Sequence, residues 1–356
     1  MKTIFKLTVS LLLILILVIG GYAAYVFIDY YRIEDNLILS PEGMSKAEVP
    51  IGETLEMTSW NIGFGAYTAE YSFFMDGGEY SRGFSEEAVY ENVVNMADEL
   101  KKMDSQFYLI QEVDIDSTRS YHIDQKELLL EELSGKSSTF ALNYDSPYLF
   151  YPITEPHGKS LAGLLTLSDY TIQSSLRRSL PIQENLAKLV DCDRCYTVNR
   201  IEAENGKELI IYNFHLSAYT TDPTIANRQL EMLYEDITAE YNAGNYVICG
   251  GDFNKDLLGD SSQYFGVSGE DYSWAQSFPF DTLPEGFQLV APLDPENPVP
   301  SCRNADSPWN PETNFQITID GFIISDNITL VESNVVNMDF AYSDHNPVKM
   351  DFYLEP

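Results

Sequence analysis

The stretch Val247-Ile-Cys-Gly-Gly-Asp-Phe-Asn254 constrains this chain more than any other. An apolar run from Tyr246 to Cys249 ends in two glycines, a carboxylate, an aromatic ring and an amide. Such a run reads as a buried strand, with the glycines marking its end and the close approach of another backbone or a ligand. Asp252 and Asn254 are two residues apart, so on an extended backbone their side chains point the same way. Held together at a strand's end, they could grip a hard cation and a phosphate; in a loop they would only cap turns.

The same pattern recurs along the chain. Leu55 to Ile62 alternates as a strand reaching Trp60-Asn61, and Phe107 to Ile110 is a short apolar strand ending in Gln111-Glu112. Thr197 to Ala203 and Glu208 to Phe214 flank Asn205-Gly206 as a hairpin, the second strand running into His215. Phe315 to Ile324 contains Asp320, and Ser343-Asp344-His345 precedes a last strand, Val348 to Leu354. Strands are also expected at Tyr148 to Ile153, Leu161 to Leu167 and Thr329 to Val336. Ser85 is a helix N-cap with Glu86 and Glu87 in the first turn; Val89, Val93, Met96, Ala97 and Leu100 then keep helical spacing to Lys101-Lys102. Further helices are expected near Asp124 to Leu133 and from Asp222-Pro223 to about Tyr241. Strands alternating with few helices, several joined as hairpins, predict a mixed α/β layered domain.

Singly, each polar residue at these strand ends has an ordinary structural role: Asn61 as a turn former, Glu112 as a solvated end, His215 as a hydrogen-bonded imidazole. Asp320 inside an apolar strand is harder to dismiss, because a buried carboxylate needs a partner. The chain has only four histidines, and two of them, His215 and His345, fall at these ends. Oxygen ligands (Asn61, Glu112, Asp252, Asn254, Asp344) with few thiols favour Mg²⁺, with Mn²⁺ or Ca²⁺ as alternatives, over zinc.

Ahead of these strands, Lys2 and Lys6 precede an uncharged run from Leu7 to Ile28, more than the about 20 residues a helix needs to cross a bilayer. The basic end is expected in the cytoplasm, with Asp29, Glu34 and Asp35 across the membrane and the bulk of the chain outside the cell. A cleaved signal peptide is the rival reading; the run is long for one and lacks a clean small-x-small site. Residues 1–30 are thus expected to be a transmembrane anchor, 31–53 a linker with Pro41, Gly43 and Pro50, and 54–356 the catalytic domain. Fifty-five acidic against 21 basic residues, a net charge of −34, disfavour a basic groove for a long polyanion. A bound divalent cation would still admit a phosphate by inverting the local field. Cys192-Asp-Arg-Cys195 has no second CxxC or nearby histidine to suggest zinc; a local disulfide or two ordinary thiols both fit.

Taken in order, Thr58-Ser-Trp-Asn61, Leu109-Ile-Gln-Glu112, Asn213-Phe-His-Leu216, Gly251-Asp-Phe-Asn254, Ile319-Asp-Gly-Phe322 and Ser343-Asp-His-Asn-Pro-Val348 resemble the endonuclease/exonuclease/phosphatase (DNase I-like) superfamily over roughly residues 54 to 356, as a membrane-anchored bacterial-type member. The resemblance implies a four-layer α/β sandwich, two mixed β-sheets packed face to face with helices outside, here preceded by one N-terminal transmembrane helix. It implies Glu112, Asn61 and Asp344 at the metal, Asp252 and Asn254 positioning water and phosphate, His345 as the catalytic histidine oriented by Asp320, and His215 as a second histidine. In the expected reaction a protonated His215 steadies the phosphate oxygens while Asp252 or His345 aligns the water.

The expected activity is a Mg²⁺-dependent phosphodiesterase or phosphatase acting outside the membrane on a lipid head group or small phosphate ester. An extracellular nuclease is the alternative, and a catalytically silent binding domain the alternative of another class. The membrane is met through the N-terminal helix, and no protein partner is implied. Lys159 and Arg177-Arg178 are either phosphate contacts or surface cations, and the aromatic loop 64–83 is either a lip for substrate or packing against the rim.

Overall fold

The computed structural model describes residues 1–218, 224–269, 272 and 274–356. In chain order the main elements are α1 (Lys2–Asp29), β1 (Leu37–Leu39), β2 (Leu55–Asn61), α2 (Glu86–Met103), β3 (Phe107–Asp114), α3 (Gln125–Glu132), β4 (Ser137–Asp145), β5 (Leu161–Ser168), β6 (Ser174–Ser179), β7 (Cys195–Glu202), β8 (Glu208–His215), α4 (Thr224–Asn242), β9 (Tyr246–Asp252), β10 (Phe287–Val290), β11 (Cys302–Arg303), β12 (Gln316–Ile317), β13 (Asp320–Ser325), β14 (Ile328–Val335) and β15 (Val348–Leu354). One sheet runs β1-β6-β7-β8-β9-β13-β10 and the other β14-β15-β2-β3-β5-β4, with β11 and β12 a separate pair. Only β8–β9 and β2–β3 pair in parallel, so both large sheets are mixed.

Side-chain alternation explains the layering. Leu209 and Ile211 of β8 and Tyr246 and Ile248 of β9 face inward, where they meet Met57 of β2, Leu109 of β3 and Met350 of β15 in one core between the sheets. The intervening Ile210, Tyr212, Val247 and Cys249 face outward onto Leu230, Leu233 and Ile237 of α4. Tyr108 and Ile110 of β3 likewise face Val89, Val93, Met96 and Leu129 on α2 and α3. The result is the expected four-layer sandwich: helix, sheet, sheet, helices.

The helix signals hold where they were strongest. The Ser85 hydroxyl accepts the Ala88 N–H at 3.1 Å, acids occupy the first turn of α2 and Lys101-Lys102 its last; Asp124 caps α3 through the Glu127 N–H. The start expected for α4 at Asp222-Pro223 lies outside the described residues. Three expectations change. Residues 148–153 form no strand but a loop with a single bridge, Leu149 to Gly158. Strands β1, β4, β6, β10 and β11 are unexpected; β4 and β6 among them are rich in Ser, Thr, Asn and Arg and pass unnoticed by apolar pattern. The stretch read as a tether is stitched to the domain: β1 pairs with β6, and Val49 is fully buried.

All four cysteines are free thiols. Helix α1 is exposed along most of its length and is long and apolar enough to cross a membrane. Its last two turns touch the domain at the loop after β4: Tyr22 donates to the Tyr148 carbonyl at 3.0 Å and the Tyr148 N–H donates to the Tyr25 hydroxyl at 2.9 Å.

Candidate active site

Backbone register assembles the first half of the site. Across β8, β9 and β13, His215 pairs with Asp252 and Asp252 with Asp320, so three ionisable side chains stand in a row at one edge of the sheet. The approach of β9 to β8 depends on Gly251: its φ is +146°, and a Cβ there would lie 2.0 Å from the Phe214 carbonyl oxygen.

The second sheet supplies Asn61 at the end of β2 and Glu112 in β3. The β3–β5 register shifts between Ile110 and Val113, and Glu112 takes φ +56°. This bulge breaks the side-chain alternation and re-aims the carboxylate. Asn254 is also left-handed, at φ +49°. Left-handed backbone at two non-glycine residues of one site is the kind of local strain that surrounding structure must hold in place. The Asn61 amide joins the sheets, donating to Glu112 Oε1 at 3.2 Å and to Asp252 Oδ2 at 3.1 Å.

Asp344 and His345 lie in the turn before β15. Trp60 Nε1 donates to the His345 carbonyl and the Ser343 hydroxyl to the Asn61 carbonyl, both at 2.8 Å, which fixes this turn against β2. His345 Nδ1 meets Asp320 Oδ2 at 2.8 Å, and the Ser301 hydroxyl donates to the same oxygen at 2.7 Å. Asn61, Glu112, His215, Asp252, Asn254, Asp344 and His345 all line the floor of one cavity of about 910 Å³; Asp320 does not line it and stands behind His345.

The two histidines of the floor differ in charge. Burial opposes protonation of both. At His345 the Asp320 carboxylate, by charge and hydrogen bond, outweighs burial and holds the imidazole pKa well above its usual value. At His215 burial is reinforced by the Arg194 and His345 charges, and the pKa falls well below. These shifts favour the proton on His345 rather than on His215, where the sequence reading placed it. His215 Nε2 and His345 Nε2 lie 3.4 and 3.8 Å from Asp252 Oδ2. Burial raises the Asp252 carboxyl, against the pull of His345. Asp344 is pushed up to about 6, chiefly by burial and also by the Glu112 charge, with His345 acting the other way.

Two groups of oxygen and nitrogen atoms could receive a cation. Asp252, Asp320 and His345 offer ligand atoms all within 4.8 Å of one another. In this group, however, Nδ1 of His345 is committed to Asp320, and a protonated imidazole has no lone pair to give. Glu112 and Asp344 repel each other, and among the described residues neither has an ion-pair partner within 4.0 Å. Two neighbouring carboxylates with no direct ion pair, beside the Asn61 amide, are the donor set a hard divalent cation fits.

One cavity residue was missed from the sequence. Arg194 sits within Cys192-Asp-Arg-Cys195, a pattern that draws attention to its thiols. It is 8% exposed; among the described residues its side chain hydrogen-bonds only the Leu216 carbonyl, from Nη1 at 3.0 Å, and its Nε has no partner. Arg119 and Arg303 also line the cavity, but Arg119 is held by Asp114 at 2.8 Å and Arg303 bonds to the carbonyls of Thr68, Tyr71 and Ser307. Lys159 and Arg177-Arg178 are not brought to the site. Lys159 pairs with Asp145 at 3.5 Å, Arg177 is buried against the Leu142 and Glu34 carbonyls, and Arg178 pairs with Asp35 and Asp236. In the loop 64–83, Phe64, Tyr67, Tyr71 and Phe73 pack with Ala305 in a small core, while Phe73, Phe74 and Met75 also line the cavity.

Mixed sheets packed face to face, with carboxylates, an amide and two histidines at one edge, define a phosphoester-hydrolase architecture. The sequence matches the endonuclease/exonuclease/phosphatase family over residues 58–345, and the chain belongs to that family, whose members are phosphoester hydrolases and generally depend on a divalent metal. No curated protein matches it. Solved structures share the fold at low identity. An endonuclease/exonuclease/phosphatase from Beutenbergia cavernae is 16% identical with a TM-score of 0.56, over 85% of this chain and 72% of that one. ANGEL2, a 2',3'-cyclic phosphatase in complex with adenosine-2',3'-vanadate, is 16% identical at 0.54, over 90% and 99%. The human Nocturnin catalytic domain with bound sulfate is 17% identical at 0.53, over 89% and 97%.

Proposed function

We propose that this chain is a divalent-metal-dependent, in the first instance Mg²⁺-dependent, hydrolase of phosphate esters, a phosphodiesterase or phosphatase whose catalytic part stands outside the membrane. One observation carries the reading: Glu112 and Asp344, which have no ion-pair partner within 4.0 Å among the described residues, share a cavity floor with Asp252 and with His345, whose Nδ1 meets Asp320 at 2.8 Å. Glu112, Asp344 and Asn61 are the residues that would hold the cation, which supplies positive charge to the oxygens of the reacting phosphate.

The protein's own residues account for the remaining steps. Asp252 and Asn254 align a water for in-line attack on phosphorus, and Asp252 takes its proton. The His345 imidazolium donates a hydrogen bond to a phosphate oxygen, and Asp320 holds the ring in the orientation that presents Nε2. As the new P–O bond forms, the P–O bond to the leaving group breaks, and the leaving oxygen takes up a proton from solvent. Neutral His215 and Arg194 complete the polar enclosure. A net charge of −34 weighs against a nuclease gripping a long polyanion.

The test is hydrolysis of bis-p-nitrophenyl phosphate by the detergent-solubilised full chain. Activity is expected with Mg²⁺, to vanish with chelator and to return with metal. Asp252→Ala and His345→Ala are each expected to lower kcat by about 10³ or more while leaving the thermal transition in place. Chelator-resistant turnover, or full activity in either variant, would sink the reading.

A further inference from the structure

The cavity is far more apolar than a phosphate alone requires. Away from its floor it is walled by Phe73, Phe74, Leu149, Phe150, Tyr151 and Ile153, and one wall residue, Tyr22, comes from the N-terminal helix α1. Tyr22 stacks edge-on against Phe150, with centroids 5.2 Å apart, and its hydroxyl is tied to the Tyr148 carbonyl. The helix and the loop after β4 therefore form a single wall.

At the mouth of the cavity the packing stops. Phe150, Tyr151 and Ile153 are 56%, 68% and 87% exposed, and Met75 nearby is 64% exposed. Such a cluster bordering a polar-floored cavity marks a surface that meets something apolar. The helix says what. Its 28 residues span about 42 Å at 1.5 Å per residue, against about 30 Å of hydrocarbon in a bilayer. Tyr22 and Tyr25 lie within its last two turns, at the depth where tyrosines collect at a membrane–water boundary. With α1 spanning a bilayer, the loop bound to them would be held at the level of lipid head groups, its exposed apolar side chains beside the acyl chains.

We propose that the end of α1 and the loop 148–153 form a tail-binding wall of this site, and that its substrate is a phosphate ester bearing a long hydrocarbon chain, taken from the leaflet on the domain's side of the membrane. The phosphate reaches the floor at Glu112, Asp252 and His345 while the chain lies along Tyr22 and Phe150 and leaves the protein between Tyr151 and Ile153. This deepens the phosphoester reading of the floor and rests on it.

The test uses the full chain in dioleoylphosphatidylcholine vesicles with two chromogenic diesters, methyl and hexadecyl p-nitrophenyl phosphate. The kcat/KM ratio of hexadecyl to methyl ester is expected to fall about tenfold in Tyr22→Ala and in Phe150→Ala, the scale of one lost aromatic contact, and to recover in Tyr22→Phe. Partitioning of the long ester into the vesicles is common to all these proteins and cancels in the comparison. A second readout needs no turnover: quenching of protein fluorescence, Trp274 being on the cavity wall, by a nitroxide-labelled hexadecyl phosphate. Chain-length preference unchanged in both alanine variants overturns the tail wall while leaving the hydrolase standing. Quenching lost in the variants, with no ester hydrolysed by any protein, keeps the tail wall and overturns the hydrolase. The absence of both a chain-length preference and quenching in the parent protein overturns the tail wall outright.

Discussion

His345 and His157 sit in two regions of the same cavity and are nearly equally buried, at 6% and 3% exposure, yet they carry opposite charge states. On the floor, Asp320 meets His345 and the imidazole is held protonated against the cost of burial. On the wall, His157 packs against Phe73 and Phe74 and, among the described residues, its ring hydrogen-bonds only the Ser81 carbonyl; burial and the Arg119 charge push its pKa down to about 3. Burial is common to both, so the partner decides. The floor is wired to hold charge and the wall to exclude it, which is the division an amphiphilic phosphate ester requires.

The sharpest way to break that contrast is to remove the floor's charge without changing its shape. Asp320→Asn keeps the side-chain volume but withdraws the carboxylate from His345 Nδ1. On the in-line reaction proposed here, kcat should drop by about 10³ with KM little changed, for methyl and hexadecyl esters alike. Steady-state kinetics on the two esters checks this. Activity within tenfold of the parent protein would mean that the buried Asp320–His345 pair is only a structural tie.

Arg194 gives a smaller effect and tests where the floor ends. Its guanidinium lines the cavity and, among the described residues, hydrogen-bonds one carbonyl, which leaves donors that a phosphate oxygen would meet. Arg194→Gln should reduce kcat/KM about tenfold to hundredfold, the equivalent of one charge-assisted hydrogen bond of about 1.5–3 kcal/mol, and Arg194→Lys should recover part of it. The same removal should raise the His215 pKa, since Arg194 is second only to burial in lowering it; an NMR titration of His215 reads that shift. If neither kinetics nor titration moves, Arg194 belongs to the wall.

The two regions were also unequally legible. Most of the floor's residues end or follow an apolar strand, Asp344 and His345 instead preceding one, and two parallel pairings bring those strand ends to one edge, so a list of strand ends was already most of a list of site residues. What the sequence did not carry was charge: whether His215 or His345 is the cation depends on Asp320 and Arg194, which arrive from distant segments. The wall depends on distance still more. Tyr22 and Phe150 are 128 residues apart and belong to no shared periodicity. The aromatic run 148–153 looked like a strand because apolar, β-prone residues serve equally for a sheet interior and for a surface that meets lipid. The Ser- and Arg-rich strand β6 was invisible for the converse reason: its partners on both sides, β1 and β7, supply backbone pairing that side-chain pattern does not advertise.

The smallest effect tests the wall's side of the contrast through stability. His157 is neutral when folded, with a pKa near about 3, whereas in the unfolded chain it titrates near about 6.5. Between those values the unfolded chain binds a proton that the folded one refuses, so this residue makes stability fall as pH drops from about 6.5 towards 3 and contributes no pH dependence above 6.5. At pH 5 the loss is about 2 kcal/mol, or a few degrees in Tm for a domain of this size. His157→Gln retains a polar group that can meet the Ser81 carbonyl but has nothing to titrate. Its Tm should therefore fall less than the parent's between pH 7 and pH 5, the two profiles running parallel above pH 7. Parallel profiles over the whole range would mean that His157 gains a proton in the fold as readily as out of it. The wall would then tolerate the charge that the floor is built to hold.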